Sequence, residues 1–329
     1  MKKFINQIDD LLVESLSGFA SAHHDLVSLH LDPNYLTRLR KSAEKVALIS
    51  GGGSGHEPLH TGFIGYGMLD AACPGHVFTS PTPDQMLAAS EAVENGRGVL
   101  FIVKNYAGDI MNFEMAAEML ECENATVITS DDVAVENSTY TTGRRGVAGT
   151  VIVEKCVGSL AETGADLAAC KALGDKVNRH TASMGVALTS CTVPAAGRPT
   201  FDIGTHELEM GVGIHGEPGR RREAMRSADE IVDDLVAAIL HDLSPAVGSE
   251  VLLMVNGFTG TPLMELYVLY NSAARLLQQR GLKIARSLVG DYATSLDMTG
   301  ASITVCLLDD EILRHWDAPV HTAALRWGR

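Results

Sequence analysis

The sequence contains no Cys-x-x-Cys pair; Cys73, Cys122, Cys156, Cys170, Cys191 and Cys306 stand far apart in 329 residues. Scattered thiols in a chain of this length read as reduced, buried residues of a cytosolic protein rather than a disulfide framework. Positive charge is also scarce, with 26 Lys+Arg against 41 Asp+Glu and a formal net charge of -15. That balance repels a phosphate backbone and argues against wholesale nucleic-acid binding. No run of about 18 apolar residues occurs, so no membrane-spanning helix is expected. The N-terminus, "MKKFINQIDDLLVESLSGFASAHHDL", is broken by Asp9, Asp10 and Glu14. It reads as an amphipathic helix and not as a secretory leader. What the chain does have is 46% hydrophobic and 20% charged residues, enough for a sizeable core in a soluble, cytoplasmic protein.

Short β-branched runs alternate with longer helical patterns. "KVALIS" (45–50), "GVLFIVK" (98–104), "ATVITS" (125–130), "EVLLMVN" (250–256), "LKIARSLV" (282–289) and "SITVCLL" (302–308) read as strands. "PDQMLAASEAVENG", "DIMNFEMAAEML" and "PLMELYVLYNSAARLLQQRG" read as helices between them. Continuous apolar strands mean burial on both faces, so helices should flank mostly parallel or mixed sheets in an α/β fold. The helical stretch "DLAACKALGDKVNRHTASMG" gives way to the Pro-, Ala- and Gly-rich "TVPAAGRPTF" at 192–201. A division near residue 185 is therefore expected, giving α/β domains of residues 1–185 and 186–329. A faint echo links "VLFIVKNYAGDIMNFEMA" (99–116) to "VLLMVNGFTGTPLMELYV" (251–268), as two similar layers would.

Ligands of open α/β sheets collect beyond the carboxyl ends of strands, which points to the loops after Ser50, Lys104 and Ser130. The first of these is "VALISGGGSGHEPLHTGF". It lacks the Lys-Ser or Lys-Thr of a P-loop and the third glycine of a dinucleotide fingerprint. His56-Glu57-Pro58-Leu59-His60 formally matches the zinc motif H-E-x-x-H. That motif needs both histidines one turn apart on a continuous helix, and Pro58 cannot stand inside one. What remains is a glycine loop whose backbone can approach a small ligand closely, with His56 beside it.

Lys104 and Asp109 in "VKNYAGD" should lie next to that loop if the sheet is parallel. An aspartate near a histidine and a lysine suits proton removal from a hydroxyl; capping of a helix from Ile110 is the plainer role. In "GVGIHGEPG", flanking glycines would let the backbone present His215 to a ligand. Gly143-Arg144-Arg145-Gly146 could open a helix and hold an anion, while Asp131, Asp132, Arg144 and Arg145 equally suit structural ion pairing or a subunit contact. His315, Trp316, His321 and Trp327 read as docking and packing residues.

Taken together, "GGGSGHEPLH", "CPGHVFTSPTPDQ", "VKNYAGDIMNFE", "DDVAVENSTYTTGRRGVAGT", "CTVPAAGRP", "GVGIHGEPG", "TSLDMTGASIT" and "WDAPVHT" closely resemble the substrate-binding, or K, subunits of dihydroxyacetone kinases. They stand in the same order from Ser50 to His321. The resemblance implies two α/β domains, a homodimer, and a covalent hemiaminal between a histidine nitrogen and the substrate's keto carbon. The matching histidine is His215. By the same resemblance Asp109 takes the proton of the terminal hydroxyl, and His56 hydrogen-bonds or shares acid/base duty. Gly53, Ser54, Gly55, Ser80 and Lys104 complete the substrate pocket. No cofactor or metal is expected in this chain; ADP or ATP and Mg²⁺ would sit on a separate L subunit. An M subunit of a phosphotransferase system would recharge that nucleotide. The segment between "GIHGEPG" and "VLLMVN" is shorter than in some relatives, which bears on partner docking. Two other readings stay open: a kinase subunit for a four-carbon ketose such as erythrulose, and a non-catalytic regulator that senses the ketone.

Overall fold

The computed structural model describes residues 2–134, 143–217 and 219–328. Residues 135–142 of the quoted "DDVAVENSTYTTGRRGVAGT" and Pro218 therefore lie outside the described residues. The first layer comprises α1 (Leu11–Ala22), β1 (Val27–His30), β2 (Tyr35–Arg38), β3 (Ala47–Ser54), β4 (Ala71–Val77), α2 (Pro83–Val93), β5 (Val99–Lys104), α3 (Ala107–Met119) and β6 (Asn124–Thr129). Its strands run in the order β1-β2-β4-β3-β5-β6. β4, β3, β5 and β6 are parallel, and β1 and β2 add an antiparallel edge. α2 starts where the sequence provides a reciprocal cap, Thr82 with Gln85, and Pro83 in the first turn.

Helices α4 (Gly149–Ala161) and α5 (Leu167–Arg179) follow. The even-numbered side chains Leu48, Leu100 and Ile102 pack toward them, with Val153, Val157, Cys170 and Val177. The odd-numbered Ala47, Ile49, Phe101 and Val103 pack toward α2 and α3, with Met86 and Phe113. Burial on both faces explains why these strands read as unbroken apolar runs.

The second layer holds β7 (Thr181–Ala187), β8 (Glu207–Met210), β9 (Arg221–Ala224), α6 (Ala228–Leu243), β10 (Glu250–Gly257), α7 (Leu263–Gln279), β11 (Lys283–Gly290) and β12 (Gly300–Leu308). Its order is β11-β10-β12-β7-β8-β9, and β10–β11 is its parallel pair among antiparallel neighbours. Both sheets are thus mixed. α6 and α7 cover one face, burying Ile231, Leu235, Ile239, Ala273 and Leu277 against Leu253 and Val305. Leu252, Met254 and Cys306 on the other face join the same core as α4 and α5. α4 is consequently enclosed on all sides, and Leu160 is its one residue not fully buried. The chain ends in α8 (Asp310–Asp317) and the hairpin of β13 (Val320–His321) and β14 (Arg326–Trp327). There Trp316 and Trp327 pack with ring centroids 5.4 Å apart, and Lys155 donates to the His315 carbonyl.

The division expected near residue 185 falls inside β7, whose register with β12 runs from Thr181 to Ala187. The chain therefore changes sheet before Thr181, and residues 192–201 connect parts of the second layer. "TASMGVA" contains mostly small residues and carries no alternation, so the preceding helical pattern masked it. The two layers are also joined directly, because Asp132 bridges Ser183 as a short parallel continuation of β6. No helix among the described residues is long and apolar enough to cross a membrane.

Candidate functional site

The glycine run is a strand, not a loop: Gly51, Gly52 and Gly53 continue β3 and are buried. Their lack of side chains answers to space. A Cβ on Gly51 would lie 2.5 Å from the Cys73 carbonyl oxygen, one on Gly52 2.3 Å from Lys104 Nζ, and one on Gly53 2.6 Å from the Thr79 nitrogen. Only after this strand does the backbone turn, at Gly55 with φ of 104°. Residues 56–60 form a turn and no helix, so the two histidines go to different partners. Among the described residues no group of three His, Cys, Asp or Glu side chains is placed to hold a metal ion.

Parallel pairing of β3 with β5 brings Lys104 beside the glycines, as the strand order requires. Its ammonium reaches the Gly51 carbonyl at 3.2 Å, His60 Nε2 at 2.7 Å and the Asp109 carboxylate at 3.8 Å. Asp109 is the third residue of α3, not the cap of a helix from Ile110; Tyr106 occupies the cap position. There the helix dipole favours a negative side chain. Burial raises the Asp109 pKa, opposed by the Lys104 charge and a hydrogen bond from Ser80. A buried carboxylate so raised is a stronger base than a solvated one. Behind Lys104, His60 Nδ1 lies 2.6 Å from Glu154 Oε1 of α4 and 2.9 Å from Ser50 Oγ.

His56 faces the second layer. Its Nδ1 lies 2.8 Å from the Thr294 carbonyl oxygen, which can only accept, so Nδ1 carries the proton. Burial, with His215 and Lys104 nearby, holds the His56 pKa well below the ordinary imidazole value. The ring is neutral and its Nε2 lone pair is a buried acceptor without a partner among the described residues. Phe78 stacks on it at 4.9 Å, and the His215 ring meets it edge-on at 4.5 Å. Tyr106 packs on the other side of His215 at 4.4 Å. Burial, then the charges of Lys104 and Arg145, push His215 down to about 3.

His215 lies on the turn after β8, where its backbone N–H donates to Glu217 at 2.9 Å and its Nδ1 lies 3.9 Å from the same carboxylate. Arg145 backs Glu217 at 3.5 Å, donates to Asp132 at 2.7 Å and to the Gly211 carbonyl at 2.7 Å, and is wholly buried. Among the described residues, His56 Nε2, His215 Nδ1 and the Tyr106 hydroxyl are buried polar atoms with no hydrogen-bond partner, and Glu217 Oε1 and Arg145 Nη1 meet only each other, as an ion pair at 3.5 Å. Such atoms are costly to leave unpaired, and three of them beside one loosely held ion pair mark where a polar ligand belongs.

The structure thus gathers His56, Lys104, Asp109 and His215, with Gly53 and Ser80 at the rim. Ser54 and Gly55 turn elsewhere: the Ser54 hydroxyl donates to the Gly75 carbonyl at 2.7 Å and the Gly55 N–H to the Glu57 carboxylate at 3.0 Å. Asp131 receives the Val147 and Gly149 N–H groups, so the anion at the start of α4 is the chain's own. Arg144 pairs with Asp242 of α6. Sequence reasoning missed Phe78, Tyr106, Glu217 and the Glu154–His60 link. The visible signal for Glu154 was a charged pair inside the apolar "GTVIVEKCVGSLA". A cavity of about 380 Å³ beneath α1 shares the glycine strand as a wall, but His56, Lys104, Asp109 and His215 do not line it.

Residues 17–324 match the model of the Dak1 domain. The chain is 50% identical to the Escherichia coli PEP-dependent dihydroxyacetone kinase, dihydroxyacetone-binding subunit, over 100% of both chains. It is 46% identical to the corresponding PTS-dependent subunit of Lactococcus lactis, over 99% of each. Among solved structures, a dihydroxyacetone kinase operon co-activator superposes with TM-score 0.90 at 32% identity, over 97% of this chain and 98% of that one. The dihydroxyacetone kinase of C. freundii superposes with TM-score 0.87 at 35% identity, over 99% of this chain and 60% of that one.

Proposed function

This chain belongs to the Dak1-domain family, and from that premise we propose that it is the ketose-binding subunit of a dihydroxyacetone kinase. The observation that carries this reading is the cluster of unpartnered buried polar atoms around His215. A small polyfunctional ketone supplies the hydrogen-bonding groups that the cluster lacks, and a carbonyl for the imidazole to attack.

With its pKa near 3, His215 is a neutral nucleophile at physiological pH. A proton on Nδ1, facing Glu217, leaves the Nε2 lone pair for the keto carbon. The C–N bond forms as the carbonyl π pair moves to oxygen; the ring proton leaves Nδ1 and that oxygen gains one, so the hemiaminal is neutral. Glycerol-like polyols have no carbonyl and cannot form it. His56 Nε2, an acceptor by its tautomer, takes a substrate hydroxyl, and the Gly53 backbone and Lys104 hold substrate oxygens. Asp109 accepts the terminal hydroxyl proton as that oxygen attacks phosphorus.

The phosphoryl donor, a nucleotide with Mg²⁺, comes on a separate L-type subunit. The relatives' names, dihydroxyacetone-binding subunits of PEP- or PTS-dependent kinases, support that division. Retention of Lys104, Asp109 and His56 in one site favours a kinase over a sensor, which needs only the carbonyl-binding histidine.

A crystal soaked with dihydroxyacetone should show density running from the His215 ring to the substrate's C2. A non-covalent ligand there would refute the adduct. Asp109→Asn should keep the adduct and lower phosphoryl transfer by roughly 10²–10⁴-fold with an L-type subunit present. Undiminished transfer would remove Asp109 from the role of base.

A further inference from the structure

Lys104 sits in the middle of a buried line of charged and polar groups that passes beyond the substrate pocket. An ammonium has no lone pair, so at 2.7 Å it donates to His60 Nε2. His60 must then carry its proton on Nδ1, which donates to Glu154 Oε1 at 2.6 Å. Ser50 Oγ, 2.9 Å from the same nitrogen, gives its own proton to the Ile102 carbonyl at 2.6 Å. This assignment of protons is self-consistent, and it leaves His60 neutral between a cation and an anion. All four side chains are essentially out of contact with water.

We propose that Glu154, acting through His60, is the buried counter-charge that keeps Lys104 an ammonium ion while Asp109 gains and loses its proton. The inference rests on the kinase reading for its role in turnover, but the charge coupling stands on geometry alone. Before proton transfer, Lys104 faces two carboxylates, Asp109 at 3.8 Å and Glu154 through one imidazole. When the substrate hydroxyl proton moves to Asp109, that carboxylate becomes a neutral acid and ceases to balance the lysine. With Glu154 ionised, the group as a whole is then neutral. Without it, a lone buried cation would remain, which low dielectric surroundings disfavour strongly.

The groups facing Lys104 are Asp109 from α3, Glu154 from α4, His56 and His60 from the turn after β3, and His215 from the second layer. The three histidines are neutral, each held low by burial. Only the two carboxylates therefore sustain the lysine's charge, against a burial that lowers its pKa. Burial raises Glu154 to about 8 even with the lysine's charge drawing it back, so the counter-charge is full only above that pH, on the alkaline side where the lysine's proton is at stake. Glu154 is a positioning residue, since His60 stands between it and the lysine that would meet substrate.

The test is the titration of the Lys104 Nζ, followed by ¹⁵N NMR in ligand-free protein with labelled lysine and assigned by its absence in Lys104→Arg. In Glu154→Gln, a near-isosteric change, Lys104 should lose its proton at least about one pH unit lower than in the wild type, a tenfold change in its proton affinity. His60→Gln should act in the same direction, and Glu154→Asp should restore much of the shift. In reconstituted phosphoryl transfer the alkaline limb of kcat should move down by the same amount. The His215 adduct, read by ¹³C NMR of the keto carbon, should form undiminished. If Glu154 merely packs, its variant will alter thermal stability while the lysine titrates at the wild-type pH, and the proposal fails. If the wild type forms no adduct, the kinase reading fails, and the nitrogen titration still decides the coupling.

Discussion

Lowering the pH from 7 to 5 should leave the reaction of His215 with dihydroxyacetone almost untouched. An ordinary imidazole titrates near 6.5, so about three quarters of it is neutral at pH 7 and only about 3% at pH 5. An adduct that needs the lone pair would then weaken roughly 25-fold. In this site burial, reinforced by Lys104 and Arg145, moves the value down to about 3. The direction corresponds to about 5 kcal/mol of preference for the neutral ring. At pH 5 nearly every molecule keeps its nucleophile, and the apparent affinity should change by less than about twofold. Isothermal titration between pH 7 and 5, with circular dichroism to confirm the fold, measures this directly. An inflection near 6.5 accompanied by a loss of that 25-fold order would show that His215 is solvated and not held as described.

Two further outcomes follow from groups the pocket leaves unusual. Tyr106→Phe removes a buried hydroxyl that has no hydrogen-bond partner among the described residues, so stability should hold or rise by up to about 1–3 kcal/mol. Dihydroxyacetone binding should weaken about tenfold, because that hydroxyl is one of the atoms a ligand would satisfy; a destabilised variant with unchanged affinity would reverse this reading. Arg145→Met strips the cation from Asp132 and Glu217, both buried, and should cost about 3–5 kcal/mol in urea unfolding. A loss below about 1 kcal/mol would mean that those carboxylates are held by other donors or protonated.

The parts of the fold that were legible in the sequence are those written in local pattern. β3, β5 and β10 announce themselves because they are apolar on both faces, and α2 because Thr82, Pro83 and Gln85 mark its start. The glycines after Ser50 misled for a physical reason. Glycine is a turn signal in isolation, yet here neighbouring atoms occupy the space a side chain would need, and the strand simply continues. β7 was hidden by its small residues, and with it the place where the chain changes sheet. At the site, His56, Lys104, Asp109 and His215 stood in recognisable segments. Their long-range partners did not: Glu154 meets His60 across 94 positions of sequence, and Thr294 fixes the tautomer of His56 across 238. Such pairings exist only once α4 is enclosed between the sheets.

The proposed nucleophile and base stand on different layers: His215 on the turn after β8 of the second and Asp109 on α3 of the first. A ketose bonded to one and hydrogen-bonded to the other is therefore a removable rivet through the seam of the molecule. While it is in place, parting the layers requires breaking a carbon–nitrogen bond or stripping the hydroxyls from their acceptors. On the proposed adduct, empty chains lack that fastening, and saturating ketone should raise the melting temperature and slow proteolysis of the wild type.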